Sequence, residues 1–207
     1  MMLPTHAIAG MLLALPAALA MPEFGSVALG AGFLGGVLPD LDMYVGHRET
    51  LHYPVYYAAV GVASLPVTLL IPSATTVGLT ALLLAAAAHS VADVFGGGLE
   101  LRPWEATSRR AVYDHYHGRW IAPRRGVGYD GSPTDLLLTV LLAAPLLAVV
   151  GPPYRWLVAG ALVVAIVYAS VRRTLPTVAE HLVSSLPAWT TPYLPARYRA
   201  RHAPADE

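Results

Sequence analysis

An all-α, polytopic membrane bundle of about five to six helices is predicted for this chain of 207 residues. Three observations predict it. The chain is 56% hydrophobic and 13% charged, where a soluble domain carries about 25% charged residues. Its mean hydropathy is +0.54. Its apolar residues also gather in long uncharged stretches broken by short turns, as expected of helices that satisfy their own backbone in lipid. Formal net charge is zero, which argues against a nucleic-acid surface driven by bulk charge, so no nucleic acid is expected as a partner. The absence of cysteine excludes disulfides, zinc ribbons and thiol nucleophiles. Any metal must therefore be held by His, Asp or Glu, which favours zinc, with manganese as an alternative.

The elements follow in order. Ala7 to Pro22 and Phe24 to Pro39 are uncharged apart from the intervening Glu23. At roughly 15 residues each, they fall short of the about 20 needed for a full crossing. Gly30, Gly32, Gly35 and Gly36 on the second would let another helix come close. Ala18-Leu19-Ala20 resembles a signal-peptide cleavage site, but the segment before it has no basic side chain and carries Pro4 and His6, so a retained helix is the favoured reading. Pro54 to Ala88 contains no Asp, Glu, Arg or His, and Ile71-Pro72-Ser73 divides it into spans near 54–71 and 75–95. Leu136 to Tyr154 and Trp156 to Val171 form the last pair, split by Gly151-Pro152-Pro153. Between them, residues 96–132 form a long polar loop or helical segment, rich in arginine and in Trp104, Tyr113, Tyr116, Trp120 and Tyr129. It suits an interfacial belt or a lid. Residues 1–175 would be the membrane domain, and 176–207 an interfacial to disordered tail.

If every stretch crosses, His6, Asp40, His52, His89 and Asp93 all fall on one side, together with every arginine except Arg155. The positive-inside rule makes that side the cytoplasm, for a protein of the plasma membrane. Ligand placement and arginine placement thus agree on one topology.

His89 and Asp93, four apart, project from one helix face and can share a cation. In a soluble helix a mutual hydrogen bond would be preferred. Beside the uncharged run Leu82 to Ala88, desolvation makes ligation the better reading. Asp40 and Asp42 offer hard oxygens at a helix exit, where the bland alternative is a solvated turn. In His47-Arg48-Glu49-Thr50-Leu51-His52 the histidines are five apart, so this is not His-Glu-x-x-His. His52 is a metal candidate, His47 a ligand or an acid–base group, and Arg48 a clamp for an anionic oxygen. His6 joins the candidate ligands through the topology. Asp114, His115 and His117 form a second dense cluster that either completes the site, binds substrate or is a solvated loop.

Together these residues resemble the LexA-regulated, membrane-bound, metal-dependent hydrolases of the YdjM type. The resemblance rests on His6, Leu38 to Asp42, His47 to His52, and His89 to Asp93 with Gly96, in that order within residues 1–104. Arg109 to Asp135 resembles haloarchaeal members. Tyr53 departs from the Ser often found after the second His of the loop. The resemblance implies a hydrolase, and a distant relation to zinc-dependent phospholipase C and S1/P1-type nucleases.

The expectation is therefore a membrane hydrolase with metal ligands His6, Asp40, Asp42, His52, His89 and Asp93 and catalytic residues His47 and Arg48. Its partners would be membrane lipid and a lipid or phosphoester substrate. The alternatives are a divalent-cation transporter and a non-catalytic membrane metal-binding protein. A metal-free lipid phosphatase is excluded by the lack of any Lys and of its Pro-Ser-Gly-His segment.

Overall fold

Helix-forming apolar runs, interrupted where Pro and Gly demand it, account for the architecture. The computed structural model describes residues 1–194; the Arg-rich, then acidic end of the chain, expected to be disordered, lies outside the described residues. In chain order the helices are α1 (Leu3–Ala20), α2 (Gly25–Val37), α3 (Pro54–Leu70), α4 (Ala74–Ala92), α5 (Pro133–Val149), α6 (Tyr154–Val171) and α7 (Leu175–Ser184). Proline stands in the first turn of α1, α3, α5 and α7, where its missing N–H costs nothing. Ser73 closes the α3–α4 turn with a reciprocal cap on Thr76, and Ser132 caps α5 through the Asp135 N–H.

Four helical stretches are long and apolar enough to cross a membrane: Leu3–Ala20, Pro22–Tyr44, Ala74–Phe95 and Tyr154–Val171. The first two are 18 and 23 residues long, more than their sequence suggests. Tight helical turns at Pro22–Phe24 and Leu38–Tyr44 extend α2 at both ends, and Pro39 is accommodated in the first turn of the second. The α-helix itself stops at Val37, as the proline requires. The shorter apolar helices are α3 and α5, with 17 residues each.

The polar stretch between α4 and α5 is not helical as a whole. It carries an antiparallel hairpin, β1 (Val112–Asp114) and β2 (Arg119–Ile121), with Tyr113 paired to Trp120. Gly118 turns it in the left-handed region, at φ 62°. A three-residue apolar–polar alternation on each side of the turn is too short to stand out by periodicity.

α1 is the hub. It packs against α2, α4, α5 and α6, while α3 packs on α4. The main core joins Ile8, Met11 and Leu15 of α1 to Leu29, Ala143, Leu146 and Val158. Glycine sets how close α2 comes: a Cβ on Gly32 would strike the Gly10 carbonyl, one on Gly35 the Leu82 carbonyl, and one on Gly36 the backbone of His6 and Ala7. Gly30, also expected at a tight contact, faces only the Tyr154 hydroxyl at 3.5 Å.

Hydrogen bonds between helix ends fix the alternation. At one end Thr5 of α1 donates to Asp135 of α5 at 2.8 Å, and His89 of α4 donates to the Gly36 carbonyl of α2 at 2.6 Å. At the other end Tyr154 of α6 donates to the Ser26 carbonyl, and Thr68 of α3 donates to the Thr76 carbonyl of α4 at 3.1 Å. The start of α1, the ends of α2, α4 and α6, and the starts of α3 and α5 therefore meet on one face. Arg172, just after α6, pairs there with Asp130 at 2.8 Å. The candidate ligands lie on that face.

Candidate metal centre

Asp40, His52, His89 and Asp93 converge, with one donor atom from each lying within 4.8 Å of the other three. His89 Nε2 is 3.4 Å from Asp40 Oδ1 and 3.6 Å from Asp93 Oδ2. His52 Nε2 is 3.8 Å from Asp40 Oδ1 and 3.4 Å from Asp93 Oδ2. Donors bound tetrahedrally at about 2.0–2.2 Å stand about 3.3–3.6 Å apart, so three of these four separations match the edges of a coordination shell and the fourth, at 3.8 Å, is slightly longer. They are too long for good hydrogen bonds.

The orientation of the histidines argues the same way. The Gly36 carbonyl can only accept, so His89 Nδ1 carries the proton that reaches it at 2.6 Å. His52 Nδ1 lies 2.9 Å from Asp42 Oδ2, an equally clear donor–carboxylate pair. Both neutral rings then aim an Nε2 lone pair into the cluster, and both Nε2 atoms are buried with no hydrogen-bond partner. Two lone pairs facing two carboxylates in a dry pocket repel one another unless a proton or a metal cation lies between them. The residues fit a divalent ion. Their two nitrogen and two oxygen donors suit zinc or manganese.

The expected residues around this cluster take other positions. Asp42 is not in the four-residue group. Its Oδ1 meets His47 Nδ1 at 3.1 Å and the Arg48 N–H at 3.3 Å, and its Oδ2 meets His52 Nδ1 at 2.9 Å and the Leu51 N–H at 3.1 Å. With both oxygens so occupied, Asp42 orients His52 from behind, the usual carboxylate–histidine–metal arrangement. The reason is local geometry: in the tight helix of 38–44 residues two apart point in different directions, so Asp40 faces the cluster and Asp42 the loop. His6 likewise supports a ligand. Its Nε2 is 3.0 Å from Asp93 Oδ1, and its ring stacks on His89 at 3.6 Å.

Arg48 has its guanidinium committed. It donates to the Gly97 carbonyl at 2.7 Å, and its Nε lies 3.2 Å from Asp93 Oδ2. It is 5% exposed and sits in the left-handed region at φ 62°, held there by the Asp42 contact and by the Tyr113 N–H on its carbonyl. In this arrangement Arg48 braces Asp93 and also lines the cavity beside it. His47 lies on Asp42, 23% exposed, and lines a cavity that also reaches Asp40 and Arg48.

The second His/Asp cluster stays apart. His117 Nδ1 pairs with Asp114 Oδ2 at 2.6 Å, and His115 Nε2 donates to the Glu49 carbonyl at 2.7 Å. The hairpin therefore props the 47–52 loop from outside and adds no donor to the cluster. Two positioning groups were not legible in the sequence. The Gly36 carbonyl fixes His89, and buried Asp135 ties α5 to α1 through the Met2 N–H at 2.7 Å and the Thr5 hydroxyl. Backbone carbonyls carry no sequence signal, and Asp135 reads as an ordinary first-turn acid.

No family model, no curated protein and no solved structure matches the chain. The site's geometry therefore carries the functional argument by itself.

Proposed function

We propose that the protein is an integral membrane hydrolase, dependent on a divalent metal held by Asp40, His52, His89 and Asp93, that cleaves a phosphoester at the cytoplasmic surface of the plasma membrane. Zinc is the first choice of metal and manganese the second. The observation that carries this reading is the pair of buried, unpartnered Nε2 atoms aimed at two carboxylates. The resemblance to the YdjM-type hydrolases supports the hydrolytic class, and the arginine-rich face supports the cytoplasmic side.

Bound there, the cation would supply Lewis acidity, lowering the pKa of a water to about 7 in the case of zinc and drawing charge from a phosphoryl oxygen. Asp40, at 11% side-chain exposure, is the ligand on the open side of the cluster. His47 is the proton carrier. Asp42 holds its Nδ1, which leaves Nε2 to take a proton from the attacking water and return it to the leaving oxygen. Arg48 and His6 keep Asp93 aimed inward, and Arg48 offsets its charge.

One observation favours a second reading. Four protein donors can fill a tetrahedral zinc shell, as in structural sites, so a non-catalytic metal protein has the same ligands. A transporter is less well supported, because transporter sites lie near the midplane on broken helices and these donors lie at helix ends. Metal-loaded protein assayed on bis(p-nitrophenyl) phosphate separates the readings. Turnover that chelation abolishes is expected, and His47→Gln should lower kcat about 10²–10⁴-fold at unchanged metal content. Metal-loaded protein inert toward this diester and toward phospholipid vesicles would leave the structural reading in place. Uptake of the ion into proteoliposomes would move it to transport.

A further inference from the structure

A cavity of about 920 Å³ opens between the start of α1, the end of α2, α6 and α7. It lies at the upper end of the about 300–1,000 Å³ of ordinary ligand pockets. Its two ends differ in chemistry. At one, Asp40, His47 and Arg48 of the metal centre share the wall with Glu100, Asp130 and Arg172; toward the start of α6 the wall is apolar, with Phe33, Val37, Leu157 and Val164. Along α6 it extends from Tyr168 back to Trp156. Twelve residues of helix cover about 18 Å, most of the length of the 18-residue α6.

α6 is built to leave this space open. Only Val158 and Ala165 of its residues are buried. Gly160 lines the cavity, and a Cβ placed there would meet nothing within 4 Å. Its lack of a side chain serves no helix contact, unlike that of Gly32 or Gly36. Glycine in an exposed helix is destabilising relative to alanine.

We infer that this cavity holds the hydrocarbon chain of an amphiphilic phosphoester, with the head at Asp40 and His47 and the chain along α6 toward Trp156. This deepens the hydrolase reading and rests on it for the chemistry alone. Water oxygen bonds to phosphorus, the bond from phosphorus to the ester oxygen of the group not held in the cavity breaks, and that oxygen leaves with the proton passed on by His47. The occupant is a lipid because the cavity joins the metal centre directly and continues as an apolar slot along most of α6.

The test uses full-length protein in detergent and has two readouts. Retention of hexadecyl phosphate is measured by native mass spectrometry, which needs no turnover. Hydrolysis is measured on p-nitrophenyl alkyl phosphates with butyl, octyl and dodecyl chains, below their micelle concentrations. Wild type should retain hexadecyl phosphate, and its kcat/KM should rise about fourfold for each methylene taken up. Gly160→Trp and Val164→Trp, with bound metal as the check on folding, should lose the retention and flatten the series, an effect of at least about tenfold on the dodecyl ester. Ile166→Trp, on α6 but outside the cavity wall, should behave as wild type. Retention lost in the two cavity variants while no ester is cleaved would uphold the chain site and sink the hydrolase reading. Equal retention in all four proteins, or a flat wild-type series, would overturn the chain site.

Discussion

Two clusters in this protein are made of the same residue types. One is Asp40, His52, His89 and Asp93; the other is Asp114, His115 and His117 on the hairpin. In the first, each histidine spends Nδ1 on a fixed acceptor and turns a buried, unpartnered Nε2 toward the carboxylates. In the second, His117 closes on Asp114 at 2.6 Å with its side chain 52% exposed, and His115 is used up on the Glu49 carbonyl. Metal chemistry is thus signalled by donors that the protein leaves unsatisfied and dry, and hardly at all by a local density of His and Asp. A pair that satisfies itself in solvent has no need of a cation.

The sharpest way to break this comparison is to remove one histidine from each cluster. His89→Ala should lose essentially all bound metal, because only three of the four donors would remain to hold the ion. His117→Ala should keep the wild-type amount. Elemental analysis of both purified proteins decides, and equal metal content would erase the distinction. A smaller effect is expected one layer out. Asp42→Asn leaves four ligands in place but weakens the hold on His52, and should reduce metal affinity about 10–100-fold. Competition with a chelating dye measures it; an unchanged affinity would mean that His52 does not bind through Nε2.

Much of this was readable from residue spacing. The i, i+4 pair His89 and Asp93 at the end of an uncharged run, the Pro-Asp-Leu-Asp exit and His52 all reach the cluster, and the alternation of six apolar stretches brings them to one face. What was not readable depends on direction. Spacing could not say that Asp42 turns toward the loop while Asp40 turns inward, because that is set by the tight helix of 38–44. Nor could it foresee that Arg48 would be absorbed by Asp93 and Gly97, since an arginine beside a histidine reads equally well as clamp or brace. The glycines of α2 were expected to permit close approach, and Gly32, Gly35 and Gly36 do so. That Gly36 also orients a ligand through its carbonyl has no counterpart in side-chain pattern.

The smallest predicted effect concerns the hairpin and has a definite sign with pH. Burial opposes ionisation of Asp114, but hydrogen bonds outweigh it: His117 gives one from its ring at 2.6 Å and one from its N–H, and the Tyr116 N–H gives a third. Together they hold the Asp114 carboxyl below its ordinary range. A carboxylate whose folded pKa is depressed contributes its full stabilisation above the unfolded value of about 3.9, and loses it as pH falls through the folded one. Amide exchange across β1 and β2 should therefore be slow at neutral pH, where the ionised Asp114 stabilises the hairpin in full, then accelerate in acid beyond the intrinsic chemical trend. In Asp114→Asn the acid-side acceleration should vanish, with protection already reduced at neutral pH. Because β1 also supports the 47–52 loop through Arg48 and Glu49, metal affinity should fall slightly in that variant, far less than in Asp42→Asn. A loss as large as that of Asp42→Asn would show that the hairpin belongs to the centre after all.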